Sequence, residues 1–125
     1  MTQEQKDLLI KDLCGRLPYG VKVQAYNYEE DIETIETLYE INSDGYTSTI
    51  ECDTLKNIHK PYLFPLSSMT EEQYNEYTNM GYSVTERGRS MANYHQIDWF
   101  HKNHIDYRGL ISMGLAIDAT GLGIY

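Results

Sequence analysis

Cysteine is scarce in this sequence, which excludes a disulfide scaffold: the two present, Cys14 and Cys52, read as reduced, half-buried thiols of a reducing cytoplasm. Long apolar runs are missing too. The longest stretch free of charge and strong polarity, Leu110 to Ile117, falls far short of the ~20 residues that cross a bilayer. Leu8-Leu9-Ile10 is too brief for the apolar segment of a secretory signal. Basic charge is in short supply. Ten Lys and Arg stand against nineteen Asp and Glu, for a formal charge of -9 and a pI near 4.7. That balance disfavours a sequence-independent hold on nucleic-acid phosphates and suits a basic partner. No nucleophile stands with its base at a recognisable spacing, and Ser67 and Ser68 lack the glycine-flanked strand-to-helix elbow of a hydrolase. No cofactor motif is present.

What remains is one α+β domain. A chain of 125 residues has room for one core and buries roughly two-thirds of the surface it exposes when unfolded. Thr2 and Gln5 have capping-box spacing and open a helix over 1–17. Leu9, Ile10, Leu13 and Leu17 form its packed stripe, Lys6, Asp7, Lys11 and Asp12 its wet side, and Gly15 and Pro18 its stop signals.

From 20 to 58 the period becomes two, as in a β-meander. Val21, Val23 and Ala25 mark the buried face of one strand. In the next, Ile35, Thr37, Tyr39 and Ile41 share a face while Glu36, Leu38 and Glu40 point to water. Asn42-Ser43-Asp44-Gly45 suits a tight turn, Tyr46 to Cys52 returns antiparallel, and Leu55 with Ile58 forms a short fourth element. Such a sheet is small and curled, SH3-like or a partly open barrel. Pro61 and Pro65 make 60–69 an extended crossing. Thr70 and Gln73 repeat the capping box for a helix over 70–80, residues 81–91 read as a mobile loop, 92–117 as a helical pair with Asp106 capping its second member, and 118–125 as a tail.

Two stretches, Lys60-Pro61-Tyr62-Leu63-Phe64-Pro65-Leu66-Ser67-Ser68-Met69-Thr70-Glu71-Glu72 and His104-Ile105-Asp106-Tyr107-Arg108-Gly109-Leu110-Ile111 with Gly114-Leu115-Ala116, resemble a family of small uncharacterised proteins of gut bacteroidete bacteria, their phages and mobile elements. Lys11 to Cys14 and Leu17 to Val23 extend the likeness over most of the chain. The departures are His101-Lys102-Asn103 and the 81–91 loop. The resemblance implies a cytoplasmic accessory protein of phage or prophage origin, of the kind that interferes with a host defence system. It brings no assigned activity.

His95, Asp98, His101 and His104 fall on one predicted helix, but the six-residue step from His95 to His101 turns them about 120° apart. They do not converge as three or four metal ligands must, so no metal is expected. His104, Asp106, Tyr107 and Arg108 could supply a base, an orienting carboxylate and an anion clamp. Each also has an ordinary role: His104 satisfied by a carbonyl or carboxylate, Asp106 as N-cap, Tyr107 as core, Arg108 paired with an acid such as Asp98.

Glu29, Glu30, Asp31, Glu33 and Glu36 gather negative charge at the first strand connection, beside Tyr26 and Tyr28. A solvated edge that discourages strand pairing explains the acids. Twelve tyrosines exceed what packing demands and point to an interface. The leading expectation is therefore a non-enzymatic protein that binds a basic partner through this surface. A sequestering site for a small nucleotide, using Arg87, Arg89 and Arg108 with Tyr82 beneath the base, is one alternative. A metal-dependent hydrolase using His104 and Asp106 is the other. The same tyrosine-rich edge could pair two copies of the chain.

Overall fold

A computed structural model describes residues 1–27, 29–49, 58–80, 83–84, 90–91 and 94–125, with 83–84 and 90–91 described by backbone alone. Tyr28, Cys52, Leu55, Tyr82, Arg87 and Arg89 lie outside the described residues, and so does most of the expected 81–91 loop.

The fold is α+β, with an N-terminal helix, an antiparallel three-stranded sheet and C-terminal helices. Helix α1 (Gln3–Arg16) starts at Thr2 with both bonds of the capping box, Thr2 Oγ1 accepting from Gln5 N–H and Gln5 Oε1 from Thr2 N–H. Two orphan donors are thereby satisfied. A 3-10 turn over 17–19 ends at Gly20, whose φ of 68° turns the chain into the sheet. Strands β1 (Lys22–Asn27), β2 (Ile32–Ile41) and β3 (Thr47–Thr49) pair antiparallel in that order.

The structure adds a second three-stranded sheet. The expected extended crossing is strand β4 (Tyr62–Pro65), the centre of a parallel sheet between β7 (Ile105–Asp106) and β8 (Ile117–Asp118). Helices α2 (Glu71–Thr78) and α3 (Tyr94–Lys102) form the crossover from β4 to β7. Within the segment expected as a mobile loop, strands β5 (Ser83–Val84) and β6 (Ser90–Met91) pair antiparallel. The two larger sheets meet where Val23 bridges Pro61 and Gln24 N–H donates to the Lys60 carbonyl at 2.9 Å.

Three further expectations are corrected. Residues 107–116 form turns and no second helix, because the chain must cross from β7 to β8 on the far side of β4. Residues 118–125 are docked: the Tyr125 hydroxyl accepts from Lys22 N–H and donates to the Tyr62 carbonyl, both at 2.7 Å, so one phenol ties β1 to β4. Gly15 does not stop α1. A Cβ there would press into the imidazole of His101, so the glycine lets α3 approach.

The main core joins Leu9 and Leu13 of α1 to Val21, Val23, Leu38, Leu63, Leu110 and Leu115. An aromatic cluster of Trp99, Phe100 and Ile105 lies beside it, with Tyr77 of α2 packed at 4.8 Å from Phe100.

Strand β2 inverts the expected faces. Leu38 is 3% exposed, while Ile35 and Tyr39 are 44% and 63% exposed. The β2–β3 register shifts between Leu38 and Glu40, and this bulge changes the phase of the alternation. Ile41 therefore packs against the core although the residues that share its parity upstream do not. The phase is testable by urea unfolding. Leu38→Ala is expected to cost about 2–5 kcal/mol through the cavity it leaves, and Ile35→Ala to stay within about 0.5 kcal/mol of the parent. The opposite ranking would restore the faces read from the pattern.

Candidate functional site

Polar groups converge where α1, α3 and β7 meet. Asp12 and Arg16, one turn apart on α1, are both 0% exposed. Arg16 Nε donates to Asp12 Oδ2 at 2.7 Å and its Nη2 to Asp12 Oδ1 at 3.2 Å. That Nη2 also donates to the Ile105 carbonyl at 2.7 Å, reaching from helix to parallel sheet. Arg108 adds a bond from Nε to Asp12 Oδ1 at 3.1 Å, so the partner of Arg108 is Asp12 and not Asp98. One carboxylate faces two guanidinium groups. The excess positive charge is met by the Tyr107 ring, with guanidinium carbons 5.5 Å (Arg16) and 4.9 Å (Arg108) from its centroid.

Two histidines border this cluster. His101, buried, shares a hydrogen bond of 2.7 Å between Nε2 and the Tyr107 hydroxyl. Burial, then the Arg16 charge, holds its imidazole below the usual histidine range. His104 follows the end of α3 with φ 58°, outside the predicted helical stripe, and stacks on Tyr125 with ring centroids 3.7 Å apart. Burial, then the charges of Arg16 and Lys22, push it down to about 4. Its Nδ1 and Arg16 Nη1 are buried without a hydrogen-bond partner among the described residues. The expected carbonyl or carboxylate for His104 is thus absent from those residues, and a stacked ring stands in its place.

Asp106, the other half of the expected metal-dependent pair, bonds the backbone that follows it. Its two oxygens accept from Leu110 N–H and Ile111 N–H, each at 2.9 Å, which holds the 107–111 turn as an N-cap would hold a helix. His104 thus stacks on a ring and Asp106 bonds backbone N–H groups. Among the described residues no three His, Cys, Asp or Glu side chains gather to hold a metal ion. Cys14 is an exposed thiol and not the half-buried one expected.

The acidic candidates separate. Glu29, Glu30 and Asp31 are exposed at the β1–β2 hairpin tip, where Asn27 Oδ1 accepts from Glu29 N–H and Glu30 N–H. Glu33 is exposed and pairs across the strands with Tyr26, and Ile35 and Tyr39 extend that outer side. Glu36 does not join them: it lies across from buried Val23 on the inner face, half-buried, accepting from the Thr34 hydroxyl at 3.2 Å.

Sequence reasoning missed Asp12 and Arg16 although the signal is present. Leu9, Asp12, Leu13 and Arg16 occupy i, i+3, i+4 and i+7, the same stripe that marks the packed face. The four-residue spacing of opposite charges within that stripe is the mark of a buried pair.

Two predictions follow from this geometry. Asp12→Ala leaves the Arg16 guanidinium buried and uncompensated, and is expected to cost about 3–5 kcal/mol in urea unfolding. Asp98→Ala, at an exposed site, should stay within about 0.5 kcal/mol. The second concerns pH. The unfolded chain protonates His104 near pH 6.5 and the folded chain only near 4, so its contribution to stability is whole above pH 6.5 and is lost as pH falls towards 4. His104→Gln is expected to flatten the decline of the urea midpoint across that window; an unchanged slope would remove His104 as its cause.

No protein-family model, curated protein or solved structure matches the chain.

Proposed function

We propose that this chain is a non-enzymatic cytoplasmic protein that engages a basic partner protein through the outer face and acidic tip of the β1–β2 hairpin. One observation carries the reading: two large apolar side chains, Ile35 and Tyr39, stand exposed on the hairpin that also presents Glu29, Glu30, Asp31 and Glu33. Apolar anchors beside same-sign charge suit a partner with complementary charge around an apolar patch. The net charge of -9 extends the attraction over longer range and speeds encounter. Tyr26, half-buried beside Glu33, widens the aromatic surface.

The resemblance to phage and mobile-element proteins supports an accessory role and suggests the class of partner. A host defence enzyme with a basic groove for nucleic acid presents the charge that these carboxylates would meet in place of phosphates. No helix among the described residues is long and apolar enough to cross a membrane. The nucleotide-sequestering alternative draws on Arg108, which is engaged by Asp12, and on Arg87, Arg89 and Tyr82 outside the described residues. The hydrolase alternative draws on His104 and Asp106, whose present bonds and stacking serve the fold.

The reading is tested by placing a photo-crosslinking residue at Tyr39 and, as control, at exposed Ser112, in cells of the native host. An adduct with a basic protein is expected from position 39 and not from 112. Added salt and the pair Glu30→Lys with Glu33→Lys should each abolish it. No adduct at 39, or one indifferent to charge reversal, would refute the proposal.

A further inference from the structure

The parallel sheet has a topological switch. Strand β4 sends its connection through α2 and α3 to β7 on one side, and the chain then passes over to β8 on the other. In open sheets of parallel strands, crevices that bind ligands form outside the carboxyl ends of the strands at such a point, because the two connections part there. A crevice of about 210 Å³ lies at that place, lined by Phe64, Ser68, Gln73, Ile105, Thr120 and Gly121. Ser68 follows β4, Thr120 and Gly121 follow β8, and Gln73 comes from the first turn of α2.

Its chemistry is unusual for this acidic chain. No charged side chain lines it. Gln73 Oε1 accepts from Thr70 N–H in the α2 capping box, so Nε2 is the other end of the amide, with two N–H donors and no partner among the described residues. Ser68 Oγ donates to the Pro65 carbonyl and Thr120 Oγ1 to Asp118, which leaves the lone pairs of both hydroxyls as acceptors. Residues that carry donors and acceptors thus border one small space, together with the apolar Phe64 and Ile105. At ~30 Å³ per water, the volume equals roughly seven waters, below the range of drug-sized ligands.

We infer that this crevice binds a small uncharged molecule carrying an amide-type group, its carbonyl received by the Gln73 amide and its N–H by the Ser68 or Thr120 hydroxyl. An anion would find no cation in the lining, and a cation no carboxylate. This site is separate from the hairpin surface, and the two readings stand or fall independently.

The test uses two molecules of one shape. The full chain, labelled with nitrogen-15, is titrated with benzamide and with benzoate. Benzamide is expected to move the backbone amide signals of Ser68, Gln73, Thr120 and Gly121, and benzoate to leave them in place. Gln73→Glu keeps the capping box, since glutamate serves at that position as well, but removes both donors. It should weaken benzamide binding by about tenfold, the worth of one hydrogen bond. Thr120→Val, which spares α2, should weaken it too. Silence with benzamide, an equal response to benzoate, or undiminished binding by both variants would overturn the inference.

Discussion

A carboxylate and a guanidinium without solvent contact, Asp12 and Arg16, hold the molecule's two halves in relation. Burying two charges costs several kcal/mol each, and only good geometry repays it. Here Asp12 takes bonds from two arginines, and Arg16 carries the link onward to the Ile105 carbonyl. Helix α1 is thereby pinned to β7, and the close approach permitted by Gly15 brings His101 against the same turn. The cationic field of Arg16 then reaches both histidines and adds to burial in keeping them neutral. The bonds of this cluster tie α1, β7 and the turn after it together.

From those bonds the parallel sheet takes its place. Strand β4 lies between β7 and β8, with Phe64 N–H donating to the His104 carbonyl and Ala119 N–H to the Leu63 carbonyl. Tyr125 ties this sheet to β1. Burial pushes its phenol up to about 12, so it stays neutral and can donate to Tyr62 while accepting from Lys22. The ring packs on His104 and, at 5.7 Å, on Phe64. The C-terminal residues therefore close on the middle segment, and the crevice lies between Ser68 of that segment and Thr120.

Surface chemistry is distributed differently from the interior. Interior charges pair with one another and hold elements together, two guanidinium groups on one carboxylate, whereas the hairpin acids have no ion-pair partner among the described residues. Glu33 and Glu36 show how finely this division is drawn. Three positions apart on one strand, one looks outward beside Tyr26 and the other lies inward across from Val23. Strand periodicity, not residue type, makes one available to a partner and the other part of the fold.

Local chemistry was legible in the sequence by itself. The two capping boxes, the alternation of Val21, Val23 and Ala25, the turn at 42–45 and the α+β class all depend on near neighbours, and all appear in the structure. Only tertiary structure decided the rest. A two-residue strand such as β7 or β8 has too little pattern to read and exists because β4 supplies its partner. A bulge that shifts phase by one residue leaves no mark in composition, yet it lets Ile41 reach the core while Ile35 and Tyr39, of the same parity, stay outside. Asp12 looked like a wetted residue because charge normally seeks water, and its partners stand four and ninety-six positions away. Distance along the chain separates the two kinds of knowledge: short-range bonds are written in adjacent residues, and long-range ones exist only once the chain has closed on itself.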